Sequence, residues 1–124
     1  MIIARAHEIQ GYVALRPYER VLKVLISPDL QPVTHIALGM TLLPPGKASS
    51  NHTHDREEET WYILSGRGEV VVDGERREVS ADTVITVTPP QEHQLINTGD
   101  ETLKVLWIYT PPGAERAVLN AKHV

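Results

Sequence analysis

The chain is 124 residues long, 41% hydrophobic and 23% charged, with a formal net charge of −4 and no cysteine. That length suits one domain over residues 1–124 with its own core, and the missing thiols exclude disulfides, thiolate metal sites and a cysteine nucleophile. A weakly acidic chain with no basic block is a poor partner for nucleic acid, no apolar run reaches a membrane span, and the first eight residues lack the apolar core of a signal peptide. A cytoplasmic protein that binds neither nucleic acid nor membrane is therefore expected.

Proline and glycine punctuate the sequence at short intervals, from Pro17 through Pro44-Pro45-Gly46 to Pro111-Pro112-Gly113. The segments between them are short and rich in β-branched residues, the pattern of an all-β protein. Strands are predicted over 21–26, 35–43, 59–65, 69–72, 76–79, 83–88, 93–97 and 102–110. Asp73-Gly74, set between two strand-like runs, predicts a two-residue type I′ hairpin. Eight short strands in so small a chain point to a sandwich or jelly-roll barrel. The stretch 113–124 reads as either a short helix or a tail.

The chemistry concentrates in Asn51-His52-Thr53-His54-Asp55-Arg56-Glu57-Glu58-Glu59 and, downstream, in Glu92-His93-Gln94. Alternate residues of a strand share a face, so His52 and His54 can reach one point. Glu59 opens the next strand across a short polar turn, and His93 opens another after Pro89-Pro90. Three imidazoles and one carboxylate suit a divalent transition metal, with Mn, Fe, Ni, Zn and Cu all compatible. Four such donors on an octahedral ion leave positions open for water, substrate or dioxygen.

These residues resemble the cupin family. Its first motif, G-x5-H-x-H-x3,4-E-x6-G, is matched by Gly46, His52, His54, Glu59 and Gly66. The six-residue gap to Gly66 selects Glu59 rather than Glu58 as the carboxylate. In the second motif, G-x5-P-x-G-x2-H-x3-N, the last two positions fall on His93 and Asn97, whereas Asp82, Thr88 and Pro90 replace the earlier glycine, proline and glycine. The resemblance implies a double-stranded β-helix (jelly-roll) barrel with the metal inside its mouth. It further implies a homodimer that takes a small-molecule substrate.

Within that family the leading expectation is a metal-dependent oxidoreductase of the dioxygenase type, with Trp61 and Ile63 on the cavity wall if Glu59 faces inward. Non-redox isomerase, cyclase or lyase chemistry is the alternative, with His35, Tyr62 and Tyr109 as possible proton carriers. A non-catalytic binding barrel is the third. Arg16, Arg20 and Lys23 could serve an anionic substrate, although a solvated face accounts for them equally well. Glu57 and Glu58 read as an acidic patch, and Arg76-Arg77-Glu78 as edge-strand charge that discourages aggregation.

Overall fold

The computed structural model describes residues 1–121. Its strands are β1 (Tyr12–Ala14), β2 (Arg20–Ile26), β3 (Ala37–Leu43), β4 (Glu58–Ser65), β5 (Arg67–Val72), β6 (Glu75–Ser80), β7 (Val84–Val87), β8 (His93–Asn97) and β9 (Leu103–Thr110). A 3-10 turn, Ala6–Glu8, precedes them, and a one-turn helix α1 (Arg116–Leu119) follows. Of the two readings of the C-terminal stretch, the helix is therefore present, while residues 122–124 lie outside the described part.

Six strands form one sheet in the order β1-β2-β3-β9-β4-β7, and three form the other in the order β6-β5-β8. Every named pairing is antiparallel. Alternation along each strand turns one set of side chains inward. Glu59, Trp61 and Ile63 of β4 are buried, as are Leu103, Val105 and Trp107 of β9 and His93, Leu95 and Asn97 of β8. The core combines Val, Leu and Ile from both sheets with the two tryptophans. This meets the demand set by the absence of phenylalanine.

The boundaries departed from expectation where a glycine was read as a break. Gly68 lies inside β5, where an added Cβ would stand 2.2 Å from the Ile96 carbonyl oxygen, so close strand approach is what that position requires. Gly66 does interrupt the chain: its φ of +90° turns β4 into β5. Asp73 and Gly74 both have positive φ and join Val72 to its partner Glu75, the expected two-residue turn. β1 was not foreseen, because three residues between Gly11 and Pro17 carry too little periodicity to register. The charges of 76–78 sit exposed on β6, an edge strand, as anticipated.

Candidate metal centre

Residues 46–57 cross from β3 to β4 as a loop, yet the loop runs antiparallel beside β8. His52 and His93 exchange backbone hydrogen bonds of 3.1 and 2.9 Å, Ser49 N donates to Leu95 O (2.8 Å), Gly46 N donates to Asn97 O (3.2 Å) and Asn97 N donates to Lys47 O (2.9 Å). Only isolated bridges form, Ala48 to Ile96 and His52 to His93. The expected strand through His52 and His54 is thus a broken one, but the bridge preserves the alternation that aims both rings inward. Asn97 of the second motif acts structurally: its buried amide donates to Leu43 O and Glu101 O, each at 2.8 Å. Asp82, standing where the motif has glycine, takes a φ of +65°, so the departure keeps the backbone shape. The turn after Thr88 is closed by Gln91, whose N–H donates to Thr88 O and whose Oε1 accepts from Thr88 N.

The ligating atoms of His52, His54, Glu59 and His93 all lie within 4.8 Å of one another. Glu59 Oε1 is 3.0 Å from the Nε2 atoms of His54 and His93, and 3.8 Å from that of His52. Adjacent donors around an octahedral ion with bonds of about 2.1 Å stand about 3.0 Å apart, so the cluster has the dimensions of a coordination shell. Its hydrogen bonding points the same way. Nδ1 of His52 lies 2.9 Å from Ser50 O and Nδ1 of His93 3.0 Å from Gln91 O, and a carbonyl partner requires the proton on Nδ1. The neutral rings then turn bare Nε2 lone pairs onto a carboxylate oxygen, an arrangement that needs a cation or a proton between acceptors.

The electrostatics follow from this crowding. Burial alone would raise Glu59, but the imidazoles gathered at Oε1 outweigh it and hold the carboxyl well below the usual carboxylate range. Burial pulls His93 down; the Glu59 carboxylate and the Gln91 carbonyl more than offset it, so the ring holds a proton more tightly than an ordinary histidine. The second carboxylate oxygen, Oε2, accepts the indole N–H of Trp61, which fixes the plane of Glu59 from behind.

The cluster opens onto a cavity of about 330 Å³ whose wall includes Trp61, Trp107 and Tyr109. Trp61 lines it as expected, while Ile63, on the same face, is fully buried in the core instead. Trp107 lies flat over Gly39, where an added Cβ would come within 1.9 Å of the indole, so only glycine leaves room for that ring. Of the three proton carriers considered, Tyr109 alone reaches the cavity, its ring centroid 5.2 Å from that of His54. His35 is exposed in a bend before β3, and the Tyr62 hydroxyl donates to Asp82 on the outer face. Burial first, then the charges of Glu59, Glu115 and Glu57, push the Tyr109 phenol well above its ordinary value, so it keeps its proton.

Arg16, Arg20 and Lys23 part company. Arg16 is exposed and 3.5 Å from Glu19, and Lys23 turns outward to donate to Ala6 O (2.8 Å). Arg20 instead shares the inward face of β2 with Leu22 and Val24 and lines the cavity. The solvated-face reading is therefore corrected for Arg20. The predicted strand began at Val21, one residue too late to put Arg20 in phase with the core, and that parity was the signal available.

With this site in place, the class of protein is a small β-barrel carrying a three-histidine, one-carboxylate cluster that opens onto its cavity. The chain belongs to the cupin family, whose Cupin domain matches residues 39–109. It is 30% identical over 105 residues to an uncharacterized protein of Methanocaldococcus jannaschii, covering 82% of this chain and 84% of that one. It is 31% identical over 90 residues to polyketide synthase CurC of Streptomyces cyaneus, covering 73% of this chain but 58% of that protein's length. Among solved structures, a predicted oxalate decarboxylase from Thermotoga maritima is similar, with a TM-score of 0.78 and 25% identity over 90% of this chain and 100% of that one. The fold is accordingly the double-stranded β-helix that the motifs implied. Among the described residues no helix is long and apolar enough to cross a membrane.

Proposed function

We propose that His52, His54, Glu59 and His93 hold a divalent transition metal, one of Mn, Fe, Ni, Zn or Cu. The chain is then a metal-dependent enzyme acting on a small organic molecule in the cavity, by dioxygenase-type oxidation. The observation that carries this reading is four donor atoms within 4.8 Å of one another beside a largely apolar cavity. When bound, such an ion supplies a Lewis acid, and for the redox-active metals an electron-transfer centre, with positions left beyond the four protein donors. The chain's own residues do the rest. Trp61 and Trp107 give a wall that excludes water, Trp61 N–H orients Glu59, and the protonated Tyr109 phenol offers a hydrogen bond beside His54.

Tyr109 also favours a second reading, non-redox isomerisation, cyclisation or lyase action. Its phenol, on the cavity wall beside His54, can hydrogen-bond a substrate oxygen as charge develops there.

Elemental analysis of the purified, untagged protein tests the metal, and oxygen uptake with small diketones and catechols tests the chemistry. One equivalent of Fe, Cu, Ni or Mn together with oxygen consumption is expected. A stoichiometric metal without oxygen uptake replaces oxidation by the non-redox reading, and no metal after reconstitution overturns both. His52→Ala and His93→Ala should each purify without the ion; full retention in both defeats the assignment of ligands.

A further inference from the structure

The structure assigns a second recognition element to this cavity. We propose that Arg20 is an anion-binding residue and that the substrate is a small organic carboxylate. Its carboxylate docks on the Arg20 guanidinium while the remainder of the molecule reaches the His52, His54, Glu59 and His93 cluster. The substrate class named here rests on the reading that this cavity is the working site.

Three observations carry the inference. Arg20 occupies an inward-facing position of β2, in phase with Leu22, which lines the same cavity, and with Val24 of the core. The side chain is half-buried there rather than fully solvated. No Asp or Glu side chain pairs with it among the described residues, and its Nη1 donates to the Tyr18 carbonyl (2.7 Å). The neighbouring acid, Glu19, is engaged elsewhere, 3.5 Å from Arg16 and 3.2 Å from Lys47. Burial lowers the Arg20 pKa, yet a guanidinium stays charged at any physiological pH. One of its five N–H donors is used by Tyr18, and the remaining fork suits the two coplanar oxygens of a carboxylate.

The second observation is continuity. Arg20 and Tyr109 line the same cavity, and the Tyr109 ring centroid is 5.2 Å from that of His54, so one wall runs from the guanidinium to the cluster. A molecule seated against Tyr109 can meet both. The third is stoichiometry. Arg20 is the one cationic side chain among the cavity's described lining residues apart from the histidines. One guanidinium balances the single charge of a carboxylate, whereas a phosphate monoester, carrying about two charges, calls for more. The apolar wall between them, with Trp61, Trp107 and Leu95, selects a hydrocarbon or aromatic body for the acid.

The test uses the purified full chain, its metal content measured first. Isothermal titration calorimetry compares benzoate with benzamide, salicylate with salicylamide, phenylacetate with phenylacetamide, and pyruvate with pyruvamide, and includes glycerol phosphate. At least one acid is expected to bind wild type about tenfold to a hundredfold more tightly than its amide. Arg20→Met should erase that preference while metal content is unchanged. The inference is overturned if no acid is preferred over its amide, if the preference survives Arg20→Met, or if glycerol phosphate binds more tightly than every carboxylate. Should Arg20→Met fail to fold, Arg20→Lys decides: a preference weakened at least about threefold supports the fork geometry, and an unchanged one overturns it. A metal-free wild type that still prefers acids would defeat the metal reading and leave Arg20 standing.

Discussion

On one part of the cavity wall, His52, His54 and Glu59 come from a single stretch of eight residues, and the backbone bridge to His93 completes the set. On the adjoining part, Arg20 of β2 lies far in the chain from Tyr109 and the α1 residues Ala117 and Val118, and the two regions are joined by sheet pairing and by the anchoring of α1. That anchoring is a buried contact. Ser27 Oγ donates to Glu115 Oε2 (2.6 Å), and Gly113 N donates to Oε1 of the same carboxylate (2.6 Å). The first part is held by local hydrogen bonds that orient donor atoms, the second by packing that shapes space. Disturbing the first should change what binds at the cluster with little loss of fold. Disturbing the second should change stability and cavity shape with little effect on metal.

The largest expected effect that separates them is Trp61→Phe. It removes the N–H that holds Glu59 Oε2 while conserving most of the buried ring, and metal affinity should fall about tenfold to a hundredfold, read by competition with a chelator. A similar fall in thermal stability without loss of affinity would break the distinction. Next is Gly39→Ala. Its Cβ would collide with the Trp107 indole, and displacing that ring should cost about 1–3 kcal/mol in denaturant unfolding while the metal stoichiometry holds. Ser27→Ala should cost about 1–2 kcal/mol, because Glu115 is 1% exposed and keeps only the Gly113 N–H; near-neutral unfolding would show that α1 is not latched there.

The last effect is a pH dependence. His93 holds its proton more tightly than an ordinary histidine, and a metal must displace that proton. Affinity should therefore decline as pH falls through the raised pKa, by about tenfold per pH unit, starting above the ordinary histidine range. Glu59, held ionised, adds no further proton. Chelator competition from about pH 8 to pH 6 checks it; affinity independent of pH would remove His93 from the shell.

Much of this was legible beforehand. The alternation of β4 and β9, the Asp73-Gly74 turn and the spacing of Gly46, His52, His54, Glu59 and Gly66 are local properties, expressed within a few residues by side-chain period and turn chemistry. They suffice for an all-β barrel and for three of the four cluster residues, and His93 with Asn97 supplies the fourth. Strand phase alone did not choose between Glu58 and Glu59; burial does, since Glu59 shares the inner face with Trp61 and Ile63. The tertiary structure alone decided what depends on distant pairing. Asp82 in the left-handed region replaces a motif glycine, Gly39 makes room for Trp107 across the β3–β9 pair, and Tyr109 rather than His35 or Tyr62 enters the cavity. Arg20 turns from a surface charge into a cavity residue for the same reason. Which face of a strand is inside is settled by what packs against it, and for β2 that is β3, α1 and the wall of the cavity.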